Sequence, residues 1–122
     1  MDITNATNAN SYGGGSGYYI GGIAGWLVNG TISNSTYSGT AIETTQVQGA
    51  GGIVCTLDAG STIDGCSSYL NSITHGSNAC VDGDIAGKSV AGSTIKNCHY
   101  TGTYGLCSDT NFTDGGSNVA DL

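Results

Sequence analysis

The middle copy of a threefold repeat reads Gly51-Gly52-Ile53-Val54-Cys55-Thr56-Leu57-Asp58-Ala59-Gly60-Ser61-Thr62-Ile63-Asp64-Gly65-Cys66-Ser67-Ser68-Tyr69. One copy precedes it at residues 21–40, and another follows at residues 83–103. Isoleucine anchors recur about every 30 residues, and self-similarity at such a period is typical of solenoids. The predicted core ladders are Ile23, Ile53 and Ile85, then Ile32, Ile63 and Ile95.

Each copy predicts short strands separated by corners. Asn34, Gly65 and Asn97 share one position in the three copies. Asn and Gly tolerate a left-handed backbone, so we expect a corner at this position in every copy. Short strands with one turn per roughly 30 residues predict an all-β fold, a parallel β-helix of about three to four coils over residues 18–122. Residues 1–17, rich in Asn, Gly and Ser, predict a flexible segment or an irregular first coil.

The composition excludes several function classes. The 122 residues include 22 Gly, no Pro, two Lys and no Arg, and the formal net charge is −7. Nucleic acids and anionic membrane surfaces are bound through clustered Lys and Arg, so neither is an expected partner. No apolar run of about 18 residues occurs, so membrane insertion is not expected. The composition also leads us to expect a piece of a longer secreted chain.

Five cysteines are present, and two of them hold equivalent repeat positions. Cys66 and Cys98 would lie one coil apart, at a distance that suits a disulfide. Buried thiols also pack well as small apolar groups. A reduced, inward-facing ladder and a disulfide both remain open for this pair. Cys80 and Cys107 are a possible second pair.

Aspartates and histidines are the other candidate ligand residues. Asp82 and Asp84 flank one glycine, and Asp109 and Asp114 lie in a second oxygen-rich loop, so each loop is a weak calcium candidate. Solvated turns are the favoured interpretation, and no cofactor is expected. The two histidines, His75 and His99, are expected on the surface, because adjacent strand residues such as Cys98 and His99 face opposite sides.

The copy at residues 21–39, Gly-Gly-Ile-Ala-Gly-Trp-Leu-Val-Asn-Gly-Thr-Ile-Ser-Asn-Ser-Thr-Tyr-Ser-Gly, resembles the GLUG-type repeat. That repeat reads roughly Gly-Gly-Leu-Val-Gly, a short polar turn, then Gly-Thr-Ile-x-Asn-Cys-Tyr-x-x-Gly. The resemblance extends from Tyr18 to about Thr103, and the middle copy departs from it at Cys55, Gly65 and Tyr69. It implies a right-handed β-helix at the surface of bacterial or archaeal cells, in adhesin-like proteins. The motif contains no catalytic residue.

Two hypotheses of function follow. The first is a non-enzymatic, extracellular repeat module that spaces or presents binding regions, with glycans or host surface proteins as partners. Trp26 and Tyr69 are candidates for stacking on sugars. The alternative is a filament subunit that stacks end to end with other copies, because open strand edges template further pairing. An ice-binding or carbohydrate-binding surface is a minor alternative. No constellation typical of an enzyme is present.

Overall fold

The computed structural model describes residues 2–7, 19–43, 49–74 and 81–122, which contain strands and no helix. The strands are β1 (Asp2–Thr7), β2 (Tyr19–Gly21), β3 (Ala24–Ser33), β4 (Thr36–Tyr37), β5 (Ala41–Glu43), β6 (Gly49–Gly51), β7 (Val54–Leu57), β8 (Thr62–Asp64), β9 (Ser67–Ser68), β10 (Ser72–Thr74), β11 (Val81–Gly83), β12 (Ala86–Ser89), β13 (Thr94–Lys96) and β14 (Thr113–Asp114). The all-β prediction is confirmed.

Equivalent residues of successive copies lie side by side in parallel strands. Thr31 of β3 pairs with Thr62 of β8, which pairs with Thr94 of β13. The other sheets repeat this register, because β2, β6 and β11 pair in parallel, as do β5 with β10 and β4 with β9. We call residues 19–43, 49–74, 81–104 and 105–122 the first, second, third and fourth layers. Their stacking is compatible with the predicted β-helix.

The largest sheet curls around the core. Its strand order is β12-β7-β3-β8-β13-β14, and the long strand β3 pairs with β7 through its first half and with β8 through its second. The left-handed residue Asn29 bends β3, so that Leu27 before it and Ile32 after it both face one interior, where both are fully buried. Among the described residues, no helix is both long and apolar enough to cross a lipid bilayer.

The predicted isoleucine ladders lie in this interior. Ile32, Ile53, Ile63, Ile85 and Ile95 are fully buried, and Ile23 of the first layer is half-buried against the same cluster. Backbone hydrogen bonds connect one ladder directly, since the amide of Ile23 donates to the Ile53 carbonyl and that of Ile53 to the Ile85 carbonyl. The fourth layer continues this ladder with Leu106, whose carbonyl accepts from Ile85. In the second ladder, which ends at Ile95 in the third layer, the next position is occupied by Asp114 of the fourth layer.

The predicted left-handed corner is present in all three copies. Asn34, Gly65 and Asn97 have φ angles of 50°, 70° and 56°. A second corner repeats at Asn29, Gly60 and Gly92, with φ angles of 49°, 75° and 94°. Because the same turn recurs at the same place, the strands that follow it stay in register from layer to layer.

Replacing Gly65 with alanine is expected to lower the free energy of unfolding by about 1–2 kcal/mol, because a Cβ in the left-handed region clashes with the backbone. That Cβ would also lie 2.8 Å from Oδ1 of Asn34. Urea unfolding measures the effect, with Asn97→Gly as the matched control at the equivalent corner. Asn97→Gly should change stability by less than about 1 kcal/mol. Equal losses in the two variants would contradict the assignment of this corner.

The first strand departs from the parallel arrangement. β1 lies within the segment predicted as flexible or irregular, and it runs antiparallel to β3 along the edge away from β7 and β8. Its register includes Asp2 opposite Ser33 and Thr7 opposite Trp26, with an irregularity between Thr4 and Ala6. β1 therefore covers the outer edge of the longest strand in the first layer.

Candidate functional site

The turn that ends the third layer is held by a carboxylate that has no access to solvent. Asp84 is 0% exposed and follows β11 at the start of the third layer. Its Oδ2 atom accepts hydrogen bonds from the backbone amides of Gly102 at 3.0 Å and Tyr104 at 3.3 Å. The hydroxyl of Thr101 donates to Oδ1 at 3.4 Å and to the Leu70 carbonyl at 2.7 Å. Asp84 therefore fixes the turn that ends the third layer.

The same turn, through Tyr104, also closes the edge of a neighbouring sheet. Strand β10 pairs only with β5 among the described residues. The hydroxyl of Tyr104 accepts a hydrogen bond from the amide of Ile73, in β10, at 2.6 Å. A side chain thus occupies the position that a further strand would use. Asp84 holds that side chain in place through the Tyr104 amide.

Asp84 also makes stability depend on pH. Burial raises the pKa of its carboxyl above the ordinary value, although hydrogen bonds from Tyr104, Gly102, Gly105 and Thr101 act in the opposite direction. A carboxyl whose pKa is higher in the folded than in the unfolded state contributes most stability below its unfolded pKa. That contribution is lost as pH rises through the folded pKa.

Comparison of the chain with Asp84→Asn isolates this effect. The free energy of unfolding of the chain, relative to that of Asp84→Asn, should fall as pH rises from about 3 through the raised pKa of Asp84. Urea unfolding at a series of pH values measures this difference. A difference that is constant, or that rises with pH, would contradict the raised pKa.

Side chains of the fourth layer close two more edges. Asp109 accepts hydrogen bonds from the hydroxyl and the backbone amide of Ser89, the latter at 3.0 Å, at the end of β12. The amide side chain of Asn118 accepts from the Cys98 amide and donates to the Ile95 carbonyl, each at 3.0 Å. Burial alone would raise the pKa of Asp109, but the hydrogen bonds from Ser89, Asn111 and Cys107 hold it below the ordinary value. We call Asp109, Asn118 and Tyr104 the edge caps.

The calcium candidates lie in separate surroundings. Asp84 and Asp109 accept protein hydrogen bonds as described above, and exposed Asp114 accepts from the Gly116 amide and the Asn118 side chain. Asp82 lies in β11, opposite Ala50. N–H donors around a carboxylate use the lone pairs that a cation would need. Within residues 19–43, 49–74 and 81–122, no three His, Cys, Asp or Glu side chains are grouped to hold a metal ion.

One of the two histidines lies within the described residues. His99 is half-exposed, and its Nδ1 lies 2.9 Å from a carboxylate oxygen of Asp121 in the fourth layer. Its backbone also bridges layers, pairing with Ser67 on one side and Val119 on the other. His75 lies outside the described residues.

Cys66 and Cys98 lie together in the core. Both are fully buried as free thiols, in the same apolar cluster. The neighbouring Cys66 thiol, together with burial, raises the pKa of Cys98. The Cys66 sulfur also lies 3.6 Å from the Ile32 carbonyl oxygen. The structure therefore places the predicted pair side by side in adjacent layers of one core.

The remaining thiols lie apart from this pair. Cys55 is fully buried, and burial raises its pKa to about 12. A Cβ placed on Gly87 would lie 3.1 Å from the Cys55 sulfur, so the glycine of the next layer leaves room for it. Cys107 is a half-buried free thiol in the fourth layer, opposite Ala86, and burial raises its pKa to about 11. Cys80, its predicted partner, lies outside the described residues.

The predicted aromatic candidates lie on different sheets. Trp26 in β3 is 41% exposed, and its indole N–H donates to the Asp58 carboxylate at 2.9 Å. Thr56 occupies the register position beside it, and Lys88 the next one. Tyr69 follows β9 and is 43% exposed. Trp26 therefore has an orientation fixed by a hydrogen bond, within a row of polar neighbours.

The roles of Asp84 and the edge caps were missed by sequence reasoning. The sequence indicates Asp84 only as a calcium candidate, and it gives no signal for Asn118 or Tyr104. One signal was available, because Asp84 stands where the equivalent copies have Gly22 and Gly52. An aspartate at a position that is glycine in the other copies indicates that the third layer makes a polar contact that the first two layers lack.

The comparisons with known proteins agree with the repeat. Residues 16–42 match the family described as the GLUG motif. No curated protein and no solved structure matches the chain. The matched segment spans the first layer, and parallel pairing connects its strands to the equivalent residues of the second. The chain therefore carries a GLUG-type repeat at residues 16–42.

Proposed function

We propose that this chain is a non-enzymatic repeat module of an extracellular surface protein, in which a right-handed parallel β-helix spaces or presents binding regions. The parallel, in-register pairing of three repeat copies carries the proposal. Ala24, Val54 and Ala86 lie side by side, although 30 and 32 residues separate them along the chain. Such stacking gives a rigid rod whose length depends on the number of layers. Rigidity and reach are the properties that a spacer needs.

The polar groups of the described layers support a structural role. The carboxylates of Asp84 and Asp109 accept hydrogen bonds from backbone amides that would otherwise lie at open strand ends. The Cys66 and Cys98 thiols are fully enclosed. These groups hold the shape of the stack, and their placement favours a module without catalytic activity.

The outer surface favours a glycan over ice as a ligand. The threonine column of β3, β8 and β13 has a neighbouring column that contains Ser33, Asp64 and Lys96, and the last two form an ion pair at 3.9 Å. A mixed, charged column does not give the regular hydroxyl rows expected for ice binding. Trp26 offers an indole ring held by Asp58 beside polar neighbours, which is the combination that suits a sugar face.

A filament is the second candidate, and one observation favours it. Within the described residues, β2, β4 and β5 of the first layer each have a partner on one side only. Head-to-tail growth would join this end to the fourth layer of another copy. Near that end, the edge caps bond to edges of the second and third layers with side chains in place of complete strands, which interrupts regular strand pairing. The module is therefore the better supported function.

Antibody labelling tests the location and display of the module. We expect intact source cells to be labelled by antibodies raised against the folded chain, and protease treatment of intact cells to remove the signal. Labelling that requires permeabilised cells would overturn the proposal. Binding of the purified chain to glycan and matrix-protein arrays then tests adhesion, with Trp26→Ala as the test variant and Tyr69→Ala as the comparison.

A further inference from the structure

One pair of side chains in the core is positioned for covalent chemistry. Cys66 and Cys98 follow the left-handed corners of the second and third layers, at Gly65 and Asn97. The next residues, Ser67 and His99, pair in parallel, and the His99 amide donates to the Cys66 carbonyl at 2.9 Å. The two cysteines are therefore neighbours across one interlayer spacing, about 4.8 Å.

We propose that Cys66 and Cys98 form an interlayer disulfide when the chain folds in an oxidising medium. The interlayer spacing lies within the Cα–Cα range of disulfides, about 4.4–6.8 Å. Both side chains belong to the same buried apolar cluster, and the backbone pairing of the next residues, Ser67 and His99, sets them side by side in adjacent layers. The inference stands independently of the proposed function, because it rests on the packing of the two thiols alone.

The column is restricted to these two layers. Ser35 holds the equivalent place in the first layer, where it is buried and its hydroxyl donates to the Ser33 carbonyl at 2.8 Å. Asn118 closes the column in the fourth layer through its bond to the Cys98 amide. The cross-link would therefore join the second layer to the third. Ser35 also shows that serine is accepted in this column, which makes Cys→Ser the natural test substitution.

The reaction is a thiol–disulfide exchange with a small disulfide such as oxidised glutathione. One cysteine thiolate attacks a glutathione sulfur, which forms a mixed disulfide and releases one glutathione thiolate. The second cysteine thiolate attacks the protein sulfur of that mixed disulfide and expels the other glutathione. Each protein thiol gives up a proton, and the pair gives up two electrons to glutathione. Since both thiols are fully buried in the folded chain, the exchange belongs to folding, before the core closes.

The bond is expected to stabilise the chain by restricting its unfolded state. It would close the loop between residues 66 and 98, and cross-links of such loops typically raise stability substantially. For a domain of this size we expect the melting temperature to rise by about 5–15 °C over that of the reduced chain. Reduction should then be slow without denaturant and fast in urea.

Peptide mapping of the whole chain tests the proposal. The chain is unfolded in urea with a reductant, refolded with reduced and oxidised glutathione, and digested without reduction. We expect one linked peptide pair that contains Cys66 and Cys98. Free thiols at both positions, or a link from either to another cysteine, would overturn the proposal. This measurement uses the unchanged chain, so it does not depend on whether a variant folds.

Cysteine variants then test whether the rise in melting temperature on oxidation comes from the Cys66–Cys98 bond. Cys66→Ser and Cys98→Ser should each abolish the rise in melting temperature on oxidation, whereas Cys107→Ser should retain it. Cys107 is the matched control because it is a free thiol of the fourth layer, outside the proposed bond. A rise that survives in Cys66→Ser, or that is lost in Cys107→Ser, would overturn the assignment.

Discussion

Replacing Asp84 with alanine is expected to lower the free energy of unfolding by about 2–5 kcal/mol. The substitution removes the acceptor of two backbone amides, those of Gly102 and Tyr104. Both hydrogen bonds are partly buried, and a hydrogen bond to a charged acceptor contributes about 1.5–3 kcal/mol. The loss should spread to β10, because the Tyr104 hydroxyl that caps Ile73 depends on this turn. Urea unfolding followed by circular dichroism measures the change.

Asp121→Ala is the matched control for this variant. Asp121 is also an aspartate with a short contact to its partner, His99, but both side chains are 46% exposed. Exposed ion pairs contribute about 0–1 kcal/mol, so this substitution should change stability little. Comparable losses in Asp84→Ala and Asp121→Ala would contradict the role assigned to the buried carboxylate.

Removing the fourth layer is expected to convert a monomer into an assembling chain. A chain that ends at Tyr104 keeps the turn held by Asp84 but loses Leu106, Cys107 and Phe112, which pack against the core. It also leaves the outer edges of β12 and β13 without partners. Exposed strand edges beside apolar surface template association. Light scattering and sedimentation at a series of concentrations should show association of this chain where the full chain stays monomeric.

A double substitution separates the caps from the layer that carries them. Asp109→Ala with Asn118→Ala removes the acceptors of the Ser89 and Cys98 amides while it keeps the apolar side chains of the fourth layer. We expect a loss of about 1–3 kcal/mol for each amide left without a partner, and weaker association than in the shortened chain. If both the shortened chain and the double variant remain monomeric and as stable as the full chain, the fourth layer is not a cap.

The ladders and corners could be predicted because each repeats a local rule. An isoleucine at a fixed spacing marks a buried position in any stacked repeat. Asn34, Gly65 and Asn97 are residue types that accept a left-handed backbone, and the structure places all three there. Both signals lie within one copy, and their recurrence in the next copies makes them visible.

The caps could not be predicted because their partners are distant and are not repeated. Asp84 contacts a turn 18 to 20 residues further along the chain, and Asn118 reaches Cys98 from the short fourth layer. Within the part of the chain that the structure describes, no other copy contains either contact. The antiparallel strand β1 lies outside the repeat for the same reason, since its pairing with β3 follows no periodic spacing.

The difference between the two ends of the stack bears directly on function. Among the described residues, the first layer has edges at β2, β4 and β5, whereas at the other end the side chains of Tyr104, Asp109 and Asn118 bond to edges of the second and third layers in place of complete strands. Terminal layers with polar outer faces keep solenoids soluble as discrete units. A stack in which side chains interrupt the regular strand pairing at one end suits a module of defined length better than a subunit of an open filament.

Sedimentation velocity of the intact chain, combined with electron microscopy of the same samples, tests this account most directly. Over a hundredfold range of concentration, the account predicts one monomeric species and no fibres, because the fourth layer blocks head-to-tail stacking. Uniform thin fibres that grow with concentration and can be seeded would contradict it and would assign the chain to a filament.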